Sequence, residues 1–109
     1  MAQTIFGKIL SGEIPTTFLY EDEICVAFND VAPQAPTHIL VIPREPFEDA
    51  VAADGSTLGH VLSVAAQIGK ERCPNGFRLV TNIGEDGGQS VLHLHVHVLG
   101  GRELNWPPG

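Results

Sequence analysis

The chain has 109 residues, of which 43% are hydrophobic, and a formal net charge of −7. This length predicts a single domain, residues 1–109, with a modest core, and no apolar run is long enough to predict a membrane-spanning helix. The six Lys and Arg residues are scattered along the chain, which argues against binding to a nucleic acid polymer. A single phosphate group is not excluded, because backbone N–H groups and imidazole rings can hold it locally.

The N-terminus and the cysteines give expectations about the compartment. Residues 1–5 lack the basic and apolar regions of a signal peptide, so we expect a cytoplasmic protein. The two cysteines, Cys25 and Cys73, form no Cys-x-x-Cys pair. Their spacing favours two free thiols over a disulfide, and it does not predict a structural zinc site built on thiolates.

The first half of the chain predicts one short helix followed by three strands. Apolar residues at helical spacing follow Thr4, a typical N-cap residue, and Gly12 ends the pattern, which gives a helix over residues 4–10. Runs rich in β-forming residues and bounded by turn residues predict strands over 16–21, 23–28 and 37–42. Residues 45–53 are ambiguous, with one or two helical turns.

The second half predicts one long helix and two further strands. Apolar residues at positions 58, 61, 62, 65 and 68 have helical spacing, with Ser56 as the predicted N-cap and His60 as a surface residue without a role. Strands are predicted over 77–82 and 90–99, and the tail, residues 103–109, is predicted to be irregular because of its adjacent prolines. The sum is an α+β domain with a five-stranded, largely antiparallel sheet and two helices.

The last predicted strand carries an unusual pattern of histidines. His93, His95 and His97 alternate with apolar residues, and a period of two places alternate residues on the same face of a strand. The apolar face covers a core, whereas three imidazole rings on one face are poorly suited to packing and well suited to acid–base or nucleophilic chemistry. We therefore predict a functional site on this face.

The residues before the triad suit chemistry at a phosphate group. A glycine-rich loop over 84–89 would bring backbone N–H groups close to an anion, and Ser90 could orient or protonate a leaving group. One ring can attack phosphorus if its attacking nitrogen is unprotonated, while its neighbours supply charge or move a proton. The pattern also leaves open a zinc ion held by the alternate histidines, although no carboxylate is obviously placed to assist.

The segment from His93 to Leu99 resembles the histidine triad motif, in which three histidines alternate with apolar residues, and every position fits. Ser90 and the Gly100-Gly101-Arg102 sequence favour the Hint branch of the HIT superfamily, the histidine triad nucleotide-binding proteins, over the dinucleoside polyphosphate hydrolases. Further matches to the Hint branch occur in order along the chain, at residues 4–9, 13–15, 35–38, 42–43, 86–90 and 106–109.

This resemblance implies a HIT-like fold and a homodimer whose two sheets join into one ten-stranded sheet. It implies hydrolysis of the P–N bond of purine nucleoside 5′-phosphoramidates, such as AMP linked to an amine, with no cofactor. His95 would be the nucleophile that becomes nucleotidylated, flanked by His93 and His97, with His38 extending the polar network. Ser90 would act on the leaving group.

The resemblance also implies a binding pocket for the nucleotide. Asp30 and Val31 match the contact with the ribose, and Trp106 in the tail approaches the active site of the partner subunit and tunes leaving-group preference. The residues that match the phosphate and leaving-group positions are Asn82, Gly88, Gln89 and Ser90. The residues that match the apolar slot for the base are Ile5, Phe6, Ile9, Ile14, Phe28 and Leu40.

Two points in the sequence depart from the branch, and one functional alternative stays open. Asn29 stands where related proteins often have histidine, and residues 51–57 are shorter than in some members. The alternative is a purine nucleotide-binding or scaffolding module in which hydrolysis is only incidental, because the same pocket would serve both functions. An acyl-adenylate substrate would use the same nucleophile.

Overall fold

A computed structural model describes residues 3–109, so Met1 and Ala2, part of the N-terminal stretch considered above, lie outside the described residues. Helix α1 is Ile5–Ser11 and helix α2 is Gly55–Arg72. The strands are β1, Tyr20–Glu21; β2, Cys25–Asn29; β3, Thr37–Pro43; β4, Phe77–Val80; and β5, Val96–Gly100. No helix within residues 3–109 is long and apolar enough to cross a membrane.

The five strands form one antiparallel sheet in the order β1-β2-β3-β5-β4. This arrangement confirms the predicted α+β class, with two helices and an antiparallel sheet. The tail, residues 103–109, has no regular structure, as predicted.

The two helices cover opposite faces of the sheet. Cys25 and Ala27 of β2 pack with α2, whereas Val26 and Phe28 of the same strand pack with α1, because successive side chains of a strand point to opposite faces. The same alternation on β3 and β5 places Val96 and Val98 on the α2 side. His97 therefore lies on the α1 side, together with His38 and Leu40 of β3.

Helix α1 follows its predicted capping. The side-chain oxygen of Thr4 accepts a hydrogen bond from the Gly7 N–H at 3.1 Å, and Gly12 ends the helix with a φ of 85°. Left-handed backbone of this kind favours glycine. Helix α2 differs at its start, because Asp54 rather than Ser56 is the N-cap and accepts from the Thr57 N–H at 2.6 Å. The prediction of Ser56 was therefore wrong by one half-turn.

Two predicted strands are shorter in the structure. Strand β1 contains only Tyr20–Glu21 instead of residues 16–21, and β5 begins at Val96 instead of residue 90. His93 and His95 thus precede the strand, because other segments take the polar groups that a neighbouring strand would otherwise pair. The Leu94 N–H donates to the Phe47 carbonyl at 2.7 Å, and the Thr81 hydroxyl donates to the His95 carbonyl at 2.8 Å.

The ambiguous segment 45–53 contains a turn and no helix. Asp49 accepts hydrogen bonds from the N–H groups of Val51 and Ala52, both at 2.9 Å, which closes the turn. Local side-chain bonds of this kind compete with helix formation.

Substitution of Gly69 in α2 tests the packing of this helix against the sheet. A Cβ atom at residue 69 would lie 2.3 Å from the Phe77 ring, so we expect Gly69→Ala to lower the free energy of unfolding by about 1–3 kcal/mol despite the higher helix propensity of alanine. Gly59→Ala in the same helix is the matched control, because nothing lies within 4 Å of its Cβ position. Urea unfolding should show the control to be unchanged or stabilised by up to about 1 kcal/mol. Equal effects of both substitutions would contradict this packing.

Candidate active site

The His95 ring is held in one orientation by the backbone. Its Nδ1 lies 2.8 Å from the His93 carbonyl oxygen, which can only accept, so Nδ1 carries the proton and donates. In the neutral ring, Nε2 is then unprotonated. Among the described residues, Nε2 has no hydrogen-bond partner. Every buried side-chain nitrogen or oxygen of these residues does have a partner, so Nε2 is not buried and is accessible from outside. The rest of the residue is buried, and His95 as a whole is 5% exposed.

Two successive hydrogen bonds fix the protons of His38 and His97. The Gln34 N–H donates to His38 Nδ1 at 3.0 Å, so the proton of the neutral His38 ring lies on Nε2. That nitrogen lies 2.8 Å from His97 Nδ1 and 3.5 Å from an Asp30 carboxylate oxygen. When His38 donates to His97 Nδ1, the proton of the neutral His97 ring lies on Nε2. His97 therefore presents a donor next to the acceptor of His95, and the two ring centroids are 5.0 Å apart.

Burial keeps His97 neutral. Its pKa is lowered from 6.5 to about 4, mainly by burial and further by the neighbouring rings of His95 and His38, while Asp30 opposes the shift. A neutral His97 ring can gain one proton when an anion binds beside it, because the anion favours the charged form of the ring.

His93 has a structural position behind the other two rings. It is buried, and its Nε2 donates to the Pro43 carbonyl oxygen at 2.8 Å, which ties the triad segment to the end of β3. Burial also lowers the pKa of His93. The structure does not place it beside the pocket that contains His95 and His97.

A pocket of about 500 Å³ lies between α1, the α1 side of the sheet and the end of the glycine-rich loop. Its lining contains His95, His97 and Ser90 together with Asp30 and Val31, and a carboxylate oxygen of Asp30 lies within 4.8 Å of a His97 ring nitrogen. All six residues predicted for an apolar slot line it: Ile5, Phe6, Ile9, Ile14, Phe28 and Leu40. The Phe6 ring lies edge-on to His95, with 4.9 Å between centroids, so the apolar wall directly adjoins the imidazole.

Three other predicted binding residues, Asn82, Gly88 and Gln89, lie outside this lining. Asn82 donates to the Gly87 carbonyl at 2.6 Å, and Gln89 donates to the Glu48 carbonyl at 2.7 Å and accepts from the Gly84 N–H at 3.1 Å. The N–H groups of Gly88 and Gln89 donate to carbonyls within the loop. These residues shape the loop, and their predicted contact with a phosphate stays a prediction.

The loop requires glycine at one position for a steric reason. A Cβ atom at Gly87 would lie 2.2 Å from the Ile83 carbonyl oxygen. The tight turn places the side chain of Ser90, which follows the loop directly, in the lining of the pocket.

Trp106 lies away from the pocket of its own chain and is 80% exposed. Arg78 of β4 holds the tail, because its guanidinium donates to the carbonyls of Leu104, at 2.9 Å, and Asn105, and lies 5.8 Å from the Trp106 ring centroid. The predicted role of Trp106 in a partner's site therefore depends on a second subunit.

Two groups among the described residues have ligand atoms close enough to hold a metal ion. One is Asp30, His38 and His97, and the other is Asp22, Cys25 and His60. The three triad rings together are not among these groups, since their ligand atoms do not all lie within 4.8 Å of one another. The alternative of a zinc ion on the triad itself is not supported.

A larger, open cavity of about 770 Å³ lies on the outer side of α1 and shares His93 with the triad segment. His93 is 1% exposed and is the sole histidine in this lining, whereas the smaller pocket contains both His95 and His97, so we assign the chemistry to the smaller pocket.

Sequence reasoning missed the residues that position the rings rather than react. The Thr81 hydroxyl holds the His95 carbonyl, and the Gln34 N–H sets the proton of His38. Neither belongs to a motif, and a backbone N–H has no sequence signal at all. Pro15, Thr16 and Thr17 also line the pocket, in a segment predicted as part of a strand.

Fold and site together define a small single-sheet protein with a buried, backbone-oriented histidine triad. A HIT domain profile matches residues 11–104. An uncharacterized HIT-like protein from Synechococcus elongatus is 54% identical over 97% of this chain and 96% of its own length. A Zea mays protein named 14 kDa zinc-binding protein is 49% identical over 97% of this chain and 88% of its own length. The crystal structure of a HIT family hydrolase from Legionella pneumophila matches with a TM-score of 0.90 and 41% identity, covering 96% of this chain and 98% of that one.

The chain therefore belongs to the HIT domain family, as its motifs predicted.

The lowered pKa of His97 makes the stability of the protein depend on pH. Its pKa falls from 6.5 to about 4 on folding, so between these values the unfolded chain binds more protons and stability declines as pH decreases. We expect this ring to contribute up to about 2–3 kcal/mol of that decline. In His97→Gln, the slope of the free energy of unfolding against pH should be shallower in this window, as measured by urea unfolding at several pH values. Identical slopes in the two proteins would refute the assignment.

Proposed function

We propose that the protein is a hydrolase that cleaves the P–N bond of purine nucleoside 5′-phosphoramidates, of the AMP-amine type. The observation that carries the proposal is the orientation of His95. Its Nδ1 is fixed on the His93 carbonyl, and its accessible Nε2 adjoins an apolar pocket and the donor of His97. A neutral nitrogen held in this way is a ready nucleophile.

The reaction has two balanced steps. His95 Nε2 attacks the phosphorus, a bond forms between nitrogen and phosphorus, and the P–N bond to the amine breaks while the amine gains a proton from the neighbourhood of His97 and Ser90. Water then attacks the phosphorus of the nucleotidyl-histidine, releasing the nucleoside monophosphate and regenerating the ring. Positioning and charge stabilisation supply most of the rate enhancement in such phosphoryl transfers.

The proposed ligand fits the composition of the pocket. A purine has two large π-faces and suits the slot lined by Ile5, Phe6 and Phe28, while the Asp30 carboxylate, which also lines the pocket, can accept hydrogen bonds from ribose hydroxyls. One similar structure is that of a HIT family hydrolase and another is that of a hypothetical histidine triad nucleotide-binding protein, which supports this class of activity.

We further propose that the protein is a cytoplasmic homodimer. Strand β4 is the longer of the two edge strands of the sheet, and an edge strand presents unpaired backbone groups to another chain. Joining two edges would make a ten-stranded sheet and bring the tail that Arg78 holds on β4 to the boundary between subunits. Two buried free thiols suit a reducing compartment.

The name of the maize relative and one group of side chains in this chain favour a second candidate function, zinc binding. That name states that the maize protein binds zinc. In this chain, Asp22, Cys25 and His60 bring three different types of ligand atom within 4.8 Å of one another.

A covalent intermediate on His95 tests the proposed reaction directly. Intact-protein mass spectrometry after brief mixing with an AMP-amine substrate should detect an adduct of AMP mass, and peptide mapping should locate it at His95. His95→Asn should form no adduct and lose turnover by roughly 10⁴-fold or more while it still binds AMP. Absence of both adduct and product in a folded, AMP-binding protein would favour the alternative of a binding or scaffolding module.

The role of His97 as proton donor predicts a dependence on the leaving group. His97→Gln should slow cleavage of an AMP-alkylamine by roughly 10²–10⁴-fold, because an amine must gain a proton as it leaves. An acyl-adenylate, whose leaving group is a stable carboxylate, should be affected far less by the same substitution. Steady-state rates for both substrates with the same variant measure this difference. An equal loss for the two substrates would assign His97 to binding or orientation instead.

A further inference from the structure

A second cluster of reactive side chains lies on the opposite side of the sheet from the triad. Asp22 is in the turn between β1 and β2, Cys25 begins β2, and His60 lies in α2. His60 Nε2 is 2.7 Å from Asp22 Oδ2, and Cys25 Sγ is 3.9 Å from the same oxygen. We refer to these three residues as the Asp22 cluster.

The Asp22 carboxylate is oriented by the backbone of its own turn. Its Oδ1 accepts from the N–H groups of Ile24, at 2.7 Å, and Cys25, at 2.8 Å. Oδ2 is thereby directed to the other members of the cluster and also accepts from the Tyr20 hydroxyl at 2.7 Å. Three side chains thus direct proton donors at one carboxylate oxygen. A cation that displaces these protons can bind between that oxygen and the donor atoms.

The donor set selects the kind of cation. A thiolate sulfur, an imidazole nitrogen and a carboxylate oxygen are the three ligand types of protein zinc sites, whereas Ca²⁺ and Mg²⁺ prefer oxygen alone. Binding would release the Cys25 thiol proton, and a change of tautomer would move the proton of the neutral His60 ring from Nε2 to Nδ1, which leaves Nε2 free to bind the ion. The thiolate and the carboxylate then carry two negative charges that balance one Zn²⁺.

The distances require only small movements. Tetrahedral Zn²⁺ places nitrogen and oxygen ligands about 3.3 Å apart and sulfur and oxygen ligands about 3.5 Å apart. The observed separations are 2.7 Å for the first pair and 3.9 Å for the second, on either side of these values. His60, which is partly exposed, can move by rotation of its side chain, whereas Cys25 is fully buried in β2.

The cluster is accessible from one side. The Asp22 and His60 side chains are 25% and 39% exposed, and Tyr20 and His60 line a groove of about 250 Å³. Water from this groove can supply a fourth ligand. Burial and the neighbouring Asp22 carboxylate raise the pKa of the Cys25 thiol to about 12, so the thiol keeps its proton until a cation displaces it. The positive charge of Arg44, whose Nε donates to the Asp22 carbonyl at 2.8 Å, opposes part of this rise.

We propose that Asp22, Cys25 and His60 form a one-ion Zn²⁺ site that links the β1–β2 turn to α2, apart from the nucleotide pocket. The inference rests on the zinc-binding candidate and does not depend on hydrolysis. Because Cys25 is the only thiol in either metal-competent group of the described residues, its coordination distinguishes this site from Asp30, His38 and His97.

Cobalt substitution tests the site through its sulfur ligand. Titration of the metal-free, tag-free protein with Co²⁺ should give a thiolate-to-cobalt charge-transfer band in the near ultraviolet that saturates at one equivalent and disappears when Zn²⁺ is added. Cys25→Ser should abolish the band, and His60→Gln should weaken Co²⁺ binding roughly tenfold or more. Cys73→Ser is the matched control, a second buried cysteine outside the cluster, and should leave the band unchanged.

The possible results separate the inference from the other proposals. Zinc binding without a thiolate band, with loss of AMP binding, would assign the metal to Asp30, His38 and His97 and overturn the inference. A band that Cys73→Ser removes, or Co²⁺ affinity that His60→Gln leaves unchanged, would also overturn it. No metal binding at all would refute both the site and the zinc-binding candidate, with hydrolysis unaffected. If Cys25→Ser does not fold, the exposed His60→Gln variant decides the question.

Discussion

The hydrogen bond from His95 Nδ1 to the His93 carbonyl oxygen is the constraint on which the site depends. It determines which nitrogen of the ring keeps a lone pair, and so which atom can react. The bond exists because the chain at His93 and His95 is not part of the sheet. A carbonyl in a strand ladder would have its partner in the neighbouring strand, whereas this one is free to accept from the ring two residues later.

The fold supports this arrangement from both sides of the triad segment. His93 anchors the segment to the end of β3 through Pro43, and Thr81 holds the His95 carbonyl from the segment after β4. Beyond His95 the chain enters β5 with Val96 packed toward α2, so strand alternation places His97 next to His38 on the other face. Helix α1 then closes the pocket over the rings with Phe6, which belongs to the apolar slot and lies edge-on to His95.

Much of this architecture could be predicted from the sequence. Helical periodicity identified α1 and α2, because each helix packs one side against the sheet. The β-rich runs identified all five strands, of which β2 and β3 are buried on both faces. The resemblance of the histidine motif to the family also identified the pocket wall. The extent of the last strand could not be predicted in this way. Alternation from Ser90 to Leu99 has the period of a strand, yet His93 and His95 lie in irregular backbone before the strand begins.

The missing details share a physical origin, since they arise from contacts between residues distant in sequence. The Asp22 cluster joins a turn near the start of the chain to a helix residue 38 positions later, and His60 alone gives the pattern of an ordinary surface residue. Spacing rules for metal sites detect ligands that lie close together in the sequence. They do not detect ligands assembled by packing of a helix on a sheet.

The proton positions on His93 and His95 are set by main-chain atoms, the carbonyl oxygens of Pro43 and His93. The proton position on His97 is set through the His38 ring, whose own proton is set by the main-chain N–H of Gln34. Main-chain atoms are unchanged when side chains are replaced. Side chains of the pocket wall, Asn29 among them, can therefore be replaced without altering which nitrogen of His95 is unprotonated. The selectivity of the pocket and the orientation of its reactive ring thus depend on different parts of the chain.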